Sequence, residues 1–151
     1  MTDWLFNGQE FPPEEALNYV GFVYIITNLT NNKKYIGKKL FHFSKTKQVK
    51  GKKKRFKVQS DWPTYYGSNV ELQKDVEVLG FENFTRCILY LCKSKGTCSY
   101  LEAKEQFGRN VLESDEYYNQ WIFLKVSRSH LKLKEQNVKR ISKRKPKDEK
   151  Q

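Results

Sequence analysis

Residues 21–39, GFVYIITNLTNNKKYIGKK, constrain the fold of this chain more than any other segment. The run at 22–26 consists of β-branched and aromatic residues, which are typical of a buried strand. The polar stretch at 28–34 predicts a turn, and residues 35–37 resume an extended run. The segment therefore predicts a β-hairpin against which the rest of the chain packs.

The two tyrosines of this hairpin, Tyr24 and Tyr35, lie on successive strands. Pairing of the strands can bring both phenols to one face of a rigid platform. Gly37 permits a close approach of the backbone to a ligand, and Lys38 and Lys39 add positive charge directly after it. The arrangement is suited to a phosphate, although cross-strand packing explains either tyrosine taken alone.

The overall charge favours the same class of partner. A formal net charge of +12 predicts binding to a polyanion, with nucleic acid first and an anionic membrane surface second. No apolar run approaches the roughly 20 residues that a membrane helix needs, and nothing resembles a signal peptide. We therefore expect a soluble, cytoplasmic protein that does not bind membranes.

Two segments hold most of this charge. Ten Lys or Arg residues and no acid lie between Lys38 and Lys57, which predicts a long basic loop at 40–58 that stays mobile until it binds a polyanion. The tail at 125–151, part of which could form an amphipathic helix, holds eleven more, so the two segments contain 21 of the 29 cations. Such clustering is typical of a nucleic-acid footprint, and a solvated surface loop is the alternative. The predicted DNA-binding side chains are Lys38, His42, Lys45, Lys47, Lys50, Lys52, Lys53, Lys54 and Lys57.

The remaining elements are predicted from caps and periodicity. Prolines and acids at 12–15 indicate a helix start, so residues 1–20 are interpreted as a helical brace. Ser68 or Asn69 caps a helix that ends at Gly80, and a buried strand follows at 84–91. Ser99 is the predicted N-cap of a second helix.

Three cysteines lie close together at positions 87, 92 and 98, without CxxC spacing. A zinc site is one interpretation, with His42 and His130 as the available nitrogen ligands. Buried thiols in a reducing cytosol are the better supported one.

The motif pattern of the hairpin resembles that of the GIY-YIG nucleases. Residues 22–24, Phe-Val-Tyr, stand where Gly-Ile-Tyr is usual, and a spacer with Asn28 and Asn-Asn-Lys at 31–33 leads to Tyr-Ile-Gly at 35–37. The chain is similar to phage-encoded stand-alone homing endonucleases of this family in size and in its YYGSN and YLE segments. The resemblance covers about residues 21–122.

This resemblance implies an α/β fold of the α+β type, with a small three-stranded antiparallel sheet flanked by helices. We expect the nuclease domain at 21–124, with the basic insertion at 40–58, the brace at 1–20 before it and the tail at 125–151 after it.

The resemblance also implies a metal-dependent site. Glu102 in SYLEAKEQF occupies the position of the family's metal-binding glutamate, with Glu105 as a competitor and a helix cap as the structural alternative. One carboxylate binds Mg²⁺, or another divalent cation such as Mn²⁺, only weakly, so water and a substrate phosphate would complete the shell. Tyr24 and Tyr35 would position the attacking water, one of them as a general base whose pKa a neighbouring lysine and the metal lower.

The family's arginine, on the helix after the second motif, has no counterpart here, since His42, Lys45 and Lys47 occupy the expected neighbourhood. The first arginine after the hairpin is Arg55, inside the basic insertion, and it can serve as the catalytic cation if the loop folds back over the hairpin. Otherwise Lys39, Lys45 or His42 is the expected substitute, without the bidentate grip of arginine. Arg86 on the third strand is a further candidate.

Asn119, after two tyrosines, resembles the family asparagine that orients a phosphate or a metal-bound water. A turn asparagine is the alternative. The resemblance as a whole implies an endodeoxyribonuclease that hydrolyses double-stranded DNA. A DNA- or RNA-binding protein that keeps the fold without the chemistry is the other class.

Overall fold

The computed structural model describes residues 3–123 and 138–140. Its strands are β1 (Trp4–Phe6), β2 (Gln9–Glu10), β3 (Gly21–Asn28), β4 (Lys34–Leu40), β5 (His42–Val49), β6 (Lys52–Gln59), β7 (Phe84–Cys92) and β8 (Val138–Arg140). Its α-helices are α1 (Val70–Leu79) and α2 (Lys95–Gly108), and short 3₁₀ helices lie at Pro13–Asn18, Trp62–Thr64 and Phe81–Asn83. Within the described ranges no helix is long and apolar enough to cross a membrane.

One mixed sheet forms the centre of the molecule, in the strand order β2-β1-β7-β3-β4, and β8 also pairs with β7. The predicted hairpin is present as the antiparallel pair of β3 and β4. The predicted third strand is β7, which pairs antiparallel with β3, whereas β1 joins β7 in parallel. The expected three-stranded antiparallel sheet is therefore only the centre of a larger mixed sheet, and that part of the prediction was wrong.

Each face of the sheet has its own hydrophobic cluster. On one face, Phe22 and Tyr24 of β3 share a buried cluster with Leu72 of α1. On the other face, Val23 of β3 shares a cluster with Leu101 of α2. Because successive side chains of a strand point to opposite faces, β3 supplies both clusters. Tyr24 therefore lies on the face of the sheet that α1 covers, and α2 covers the opposite face.

Strand β4 is an edge of the sheet, and the chain near residue 118 covers it. The Lys34 N–H donates to the Glu116 carbonyl at 2.8 Å, and the Tyr118 N–H donates to the Lys34 carbonyl at 2.7 Å. Further along, the side chain of Asn119 bonds to the backbone of Ile36. These bonds satisfy the outward backbone groups of β4 and block pairing with another chain.

The N-terminal segment differs from the predicted helical brace. Strands β1 and β2 form a hairpin whose two-residue turn, Asn7 and Gly8, has φ values of 53° and 77°. The predicted helix start is present, but it opens a short 3₁₀ helix, with Glu14 and Glu15 in its first turn. The brace is thus a 3₁₀ helix that follows a sheet-edge hairpin.

The basic insertion at 40–58 is a β-hairpin, not the mobile loop that the sequence predicts. Strands β5 and β6 pair antiparallel along their whole length as a separate two-stranded sheet. Lys50 and Gly51 join them with φ values of 51° and 75°, the pattern of a type I′ turn. The backbone ladder and this turn order a segment that has too few apolar residues to form a core.

The two helices test the capping predictions. Helix α1 has Asn69 as its N-cap and Gly80 after its last turn, so both predicted ends are confirmed. Helix α2 begins one turn earlier than predicted. Its N-cap is Ser94, whose hydroxyl accepts from the Thr97 N–H at 3.1 Å, and Ser99 lies inside the helix.

Part of the C-terminal tail is also described. Residues 138–140 form β8, which pairs antiparallel with residues 90–92 of β7, where the sequence allowed an amphipathic helix. The rest of the basic tail predicted at 125–151 lies outside the described residues.

Candidate active site

Two tyrosines lie on one face of the β3–β4 hairpin. Tyr24 is opposite Gly37 and Tyr35 is opposite Ile26, so the two side chains are diagonal neighbours on the same face. Their ring centroids are 6.2 Å apart, with the planes tilted by 41°. Tyr24 is buried, whereas Tyr35 is half-buried and its hydroxyl hydrogen-bonds to Ser68 Oγ at 3.0 Å. The structure thus has the shared face that the hairpin pattern predicts.

Gly37 makes room for these tyrosines. A Cβ at Gly37 would collide with the Tyr24 hydroxyl and would lie 2.7 Å from Tyr24 Cζ and 2.9 Å from Tyr35 Cε1. The sequence suggested that this glycine lets the backbone approach a ligand. Its actual neighbour is the phenol of Tyr24, which lies across β4 where a side chain would stand.

A third tyrosine, Tyr65, completes the cluster. Its ring centroid is 6.0 Å from that of Tyr24, with the planes nearly perpendicular at 86°, and the two side chains are hydrogen-bonded. The Lys39 ammonium lies 4.0 Å from the centroid of the Tyr65 ring and 2.6 Å from the Asp61 carboxylate. Lys39 is therefore held on the tyrosine face, between an aromatic ring and a carboxylate.

Arg86 positions the 61–69 loop that carries Tyr65. It is buried and donates to the carbonyls of Pro63 at 3.1 Å and Tyr65 at 2.9 Å. Its guanidinium lies over the rings of Trp4 and Tyr66, at 4.6 and 4.2 Å from their centroids. The sequence makes Arg86 a candidate for the catalytic cation; its guanidinium is bonded to the loop carbonyls, and a catalytic role for it stays a prediction.

Both hairpin tyrosines hold their protons more tightly than a free phenol does. Burial first, and then the phenols of Tyr65 and Tyr35, raise the pKa of Tyr24 well above its usual value. Burial also raises the pKa of Tyr35, against the lowering effect of the hydrogen bond to Ser68. Both phenols are therefore neutral at pH 7.

The lysines after Gly37 do not act on the phenols as expected. We expected Lys38 or Lys39 to lower a tyrosine pKa, yet neither is a cause of the shifts at the hairpin tyrosines. Lys39 forms its ion pair with Asp61, and Lys38 Nζ bonds to Ser99 Oγ at 2.5 Å. The two ammonium groups are directed to other partners.

Glu102 approaches the tyrosine cluster from the opposite side of the sheet. It lies on α2, and its carboxylate accepts a hydrogen bond from the Lys38 backbone N–H of β4. Burial raises the pKa of Glu102, and the Lys38 charge and this hydrogen bond partly offset the rise. The carboxylate in turn contributes to the raised pKa values of Tyr24 and Tyr35. The site thus straddles edge strand β4, with phenols on one side and a carboxylate on the other.

The donor set at Glu102 fits an ion that brings most of its own ligands. In the part of the chain that the structure describes, no three His, Cys, Asp or Glu side chains are grouped to hold a metal ion. Mg²⁺ needs no such group, since it keeps several waters and binds through one or two carboxylates and substrate phosphates. A partly buried carboxylate beside Lys38 of β4 is compatible with that mode of binding.

Three other candidate metal ligands are engaged elsewhere. Glu105 accepts hydrogen bonds from the Tyr90 hydroxyl at 2.5 Å and from Arg109 Nε at 2.8 Å. Cys92 and Cys98 are buried free thiols, hydrogen-bonded to each other in the cluster under α2. These contacts support the interpretation of these cysteines as buried thiols and leave Glu102 as the carboxylate that acts electrostatically on the tyrosines.

Asn119 bonds to the backbone of Ile36 through both halves of its amide. Its Oδ1 accepts from the Ile36 N–H at 3.0 Å, and its Nδ2 donates to the Ile36 carbonyl at 2.8 Å. Gln106 Nε2 donates to the same carbonyl at 3.0 Å. Asn119 therefore fixes the strand between Tyr35 and Gly37, and its role toward a phosphate stays a prediction.

The basic hairpin carries most of the predicted DNA-binding cations. Arg55 lies opposite Thr46, which is four residues after the first residue of β5. Four residues of a strand span about 13 Å, so Arg55 is about that far from the end of the hairpin that joins β4. The Arg55 side chain is exposed. Within residues 3–123, the predicted catalytic cation that contacts the tyrosine cluster is Lys39, over the Tyr65 ring. His42 is half-buried where β5 begins, and the exposed lysines of the hairpin are Lys45, Lys47, Lys50, Lys52, Lys53, Lys54 and Lys57.

An open cleft of about 420 Å³ borders Tyr35. Its lining includes Ser68, Lys74, Asn119 and the exposed indole of Trp121. A cation, several hydrogen-bonding groups and an aromatic surface thus lie beside the Tyr35 hydroxyl. Such a cleft can accommodate a ligand that carries a phosphate and a planar ring.

Comparison with known families adds an independent observation. Residues 4–122 match the family model described as "Putative endonuclease segE, GIY-YIG domain". The chain belongs to the GIY-YIG nuclease family. Tyr24, Tyr35, Glu102 and Asn119 all lie within this range. No curated protein and no solved structure matches the chain.

Membership in the GIY-YIG family makes this a nuclease domain, and a nuclease acts on nucleic acid. The matched range begins at the first residue of β1, so the family domain includes the N-terminal hairpin that the sequence patterns did not reveal. The family also agrees with the mixed α and β composition of the fold.

Three residues of the cluster have no assigned role in the sequence-based site. Tyr65, Ser68 and Asp61 all lie in the DWPTYYGSN segment, which we interpreted as aromatic packing from which one tyrosine could reach a substrate. The signal was the concentration of aromatic and turn residues at 61–69. Their positions near the tyrosines depend on Arg86 and β3, which are distant in sequence.

Proposed function

We propose that this chain is a Mg²⁺- or Mn²⁺-dependent endonuclease that hydrolyses phosphodiester bonds of double-stranded DNA. The observation that carries the proposal is the convergence of Tyr24 and Tyr35 with Glu102 around edge strand β4. A hydrolytic site needs a positioned water and stabilisation of negative charge at phosphorus, and these groups supply both.

The tyrosines position the nucleophile in this proposal. Their phenols are neutral, and a neutral hydroxyl can accept a hydrogen bond from water while donating one to an oxygen. Tyr35 is the half-buried member, so its hydroxyl faces the attacking water. Tyr24 is buried and hydrogen-bonded to Tyr65, so it holds the orientation of the cluster.

Lys39 is the cation that we assign to the phosphate. It lies on the tyrosine face, and its ammonium is half-buried beside the Tyr65 ring. A phosphate oxygen would compete with the Asp61 carboxylate for this ammonium. A lysine lacks the bidentate fork of the arginine that the family pattern leads one to expect, so Lys39 acts as a point charge.

Glu102 is the residue that would hold the divalent cation. Bound Mg²⁺ or Mn²⁺ would stabilise negative charge on the phosphate and the leaving oxygen as a Lewis acid. The Lys38 N–H hydrogen bond orients the Glu102 carboxylate before any ion binds. Asn119 maintains the course of β4 between the two sides of the site.

A nucleic-acid-binding protein without catalysis is the second candidate. The observation that favours it is the Lys39–Asp61 ion pair, because it engages the assigned cation, and the arginine on the same face, Arg86, is bonded to carbonyls of the 61–69 loop. Such a protein would bind DNA or RNA in a salt-dependent manner and leave the backbone intact.

The test is cleavage of supercoiled plasmid with Mg²⁺, compared with the same reaction in EDTA. We expect Mg²⁺-dependent nicking by the wild type and a loss of about 10²-fold or more in Tyr35→Phe, which removes one hydroxyl from the site. Tyr100→Phe is the matched control, because Tyr100 is half-buried in the cluster on the α2 side of the sheet. Linear duplex RNA of the same sequence tests the preference for DNA.

Two outcomes would contradict the nuclease proposal. The first is DNA retention with no Mg²⁺-dependent nicking by the wild type, which supports the binding protein. The second is equal nicking by the wild type, Tyr35→Phe and Tyr100→Phe, which indicates a contaminating nuclease or a different site.

A further inference from the structure

The β5–β6 hairpin has two chemically different faces. Residues directly opposite each other in an antiparallel pair share a face, and alternate pairs lie on opposite faces. The pairs on the first face contain only side chains that can hydrogen-bond, with no acid and no large apolar group. We call this the polar face: His42, Ser44, Thr46, Gln48, Lys53, Arg55, Lys57 and Gln59.

The second face combines four lysines with four apolar residues. Phe43 and Phe56 are 38% and 42% exposed, and Lys45 Nζ lies 5.5 Å from the centroid of the Phe43 ring. We call this the mixed face: Phe43, Lys45, Lys47, Val49, Lys52, Lys54, Phe56 and Val58. Its lysine stems can lie along apolar surface while their ammonium groups extend to anions.

The hairpin is free to bind a large anion. Its two strands pair with each other and with no other strand among the described residues. No acid lies between Lys38 and Lys57, and none of the hairpin cations forms an ion pair within residues 3–123. The charge therefore lacks a protein partner in the described part of the chain and is complementary to a polyanion.

We propose that the β5–β6 hairpin enters the major groove of duplex DNA, with the polar face toward the base edges. This inference rests on the proposed function and adds to it the means by which the nuclease selects a sequence. A two-stranded ribbon, with strands about 4.8 Å apart, fits a groove about 12 Å wide and not one about 6 Å wide. Eight residues span about 26 Å, which corresponds to about eight base pairs along the DNA axis.

The polar face has the donors and acceptors that base edges require. Arg55 matches the O6 and N7 acceptors of guanine, and Gln48 matches the N6 donor and N7 acceptor of adenine. Thr46, Gln48, Lys53 and Arg55 line one continuous surface in the half of the hairpin nearest the turn. Lysines of the mixed face then reach the phosphates on either side of the groove.

The hairpin is attached firmly to the candidate active site. Strand β5 begins two residues after β4 ends, and the Phe41 side chain between them is buried. At the other end, the Ser60 N–H donates to the Phe41 carbonyl at 2.9 Å and Ser60 Oγ donates to the Leu40 carbonyl at 2.6 Å. Both ends of the hairpin thus join β4, so the bases it contacts lie at a fixed offset from the cleaved phosphate.

The first test is selection of bound duplexes from a random-sequence pool in EDTA, where cleavage is blocked. We expect the wild type to enrich a short motif. Gln48→Ala and Arg55→Lys change the bases enriched at one or two positions, with about ten- to a hundred-fold loss of discrimination there. Lys47→Ala, on the mixed face, enriches the same motif with weaker affinity, and Lys104→Ala on α2 is the control for loss of a cation away from the hairpin.

The second test locates the groove with base analogues in the enriched duplex. Replacing purines by 7-deazapurines removes the N7 acceptor in the major groove, whereas inosine in place of guanine removes the N2 amino group in the minor groove. Wild-type affinity should fall about tenfold with 7-deazapurines and change less than twofold with inosine. Gln48→Ala and Arg55→Lys should lose part of the response to 7-deazapurines.

Three results would overturn the inference. The first is no enriched motif, and the second is the same motif for the wild type and both polar-face variants. The third is a wild-type affinity that falls with inosine but not with 7-deazapurines. Because binding is measured in EDTA, these results are separate from those of the plasmid test. Mg²⁺-dependent cleavage without base recognition by the hairpin would refute the inference and leave the nuclease proposal standing. Base recognition by the hairpin without cleavage would support the inference and refute the nuclease proposal.

Discussion

The hydroxyl of Tyr24 occupies the space into which a Cβ on Gly37 would project. The two residues are paired across β3 and β4. Because Gly37 of the Tyr-Ile-Gly motif has no side chain, the buried phenol of Tyr24 can lie over β4. The glycine of the motif is thus required for the packing of Tyr24. A substitution at either position changes the packing of the other residue.

Gly37→Ala is therefore expected to destabilise the protein by about 1–3 kcal/mol, the usual cost of overpacking a core. Tyr24→Phe should recover part of this loss, because it removes the hydroxyl nearest to the new methyl group, while contacts with the Tyr24 and Tyr35 rings remain. Urea unfolding of both single variants and the double variant measures the coupling. Gly108→Ala is the control, since a Cβ there meets nothing within 4 Å; additive effects of the two site substitutions would contradict the packing.

Tyr118→Phe is expected to cost about 1–3 kcal/mol of stability by leaving buried partners unsatisfied. The Tyr118 hydroxyl donates to Asp75 at 2.6 Å and accepts from Asn28 Nδ2 at 3.0 Å. Burial first, together with Asp75, raises the pKa of Tyr118 to about 12, so the hydroxyl remains a donor at neutral pH. Chemical denaturation measures the effect, and a loss equal to that of Tyr100→Phe would argue against this bonding.

Glu102→Gln is expected to stabilise the metal-free protein at pH 7 and to have little effect near pH 4. Burial raises the pKa of Glu102 in the folded chain above its unfolded value of about 4.3. The folded state then binds its proton more tightly, so stability falls as the pH rises from the unfolded to the folded pKa. Glutamine cannot ionise and keeps an acceptor for the Lys38 N–H. Melting curves at the two pH values test this, and the same Tm gain at both would be the contrary result.

Asp61→Asn is expected to tighten DNA binding by a few-fold, because it releases the Lys39 ammonium and removes one negative charge from the tyrosine face. The Lys39 contact also lowers the pKa of Asp61. Fluorescence polarisation with a labelled duplex in EDTA measures the change. Glu82→Gln is a charge-matched control on the Phe81–Asn83 turn, and an equal gain in both variants would show a general charge effect.

The parts of the fold with strong local signals could be predicted from the sequence. The β3–β4 hairpin has two apolar runs around a polar turn, and α1 has Asn69 and Gly80 at its ends. Strands β1 and β2 were missed because runs of three and two residues show no periodicity. Strand β1 forms by pairing with β7 and β2 by pairing with β1, although Asn7-Gly8 is a strong hairpin turn signal.

The basic hairpin was missed for a different reason. Its cations suggested repulsion and mobility, and few apolar residues marked the strands. The alternation of polar and mixed positions and the Lys50-Gly51 turn are visible in the sequence once the pairing is known. In such a segment the cross-strand ladder determines the structure.

The candidate site was predictable where it is local. Tyr24 and Tyr35 are on one hairpin, so their shared face followed from strand pairing. Glu102 came from the family resemblance, because no local pattern reveals that α2 packs behind β4 and that the Glu102 carboxylate accepts from the Lys38 N–H. The raised pKa values of the tyrosines depend on burial by distant elements and could not be predicted from adjacent lysines.

The most direct measurement of the central claim compares two carboxylates one turn apart on α2. Glu102 accepts from the Lys38 N–H and acts electrostatically on the tyrosines, whereas Glu105 is bonded to Tyr90 and Arg109. In single-turnover cleavage of a labelled duplex at saturating Mg²⁺, Glu102→Gln should lower the rate constant by about 10³-fold, an extent typical of a lost catalytic charge contact. Glu105→Gln should stay within a few-fold of the wild type. Equal rates for the two variants, or a greater loss in Glu105→Gln, would contradict a nuclease site built around Glu102.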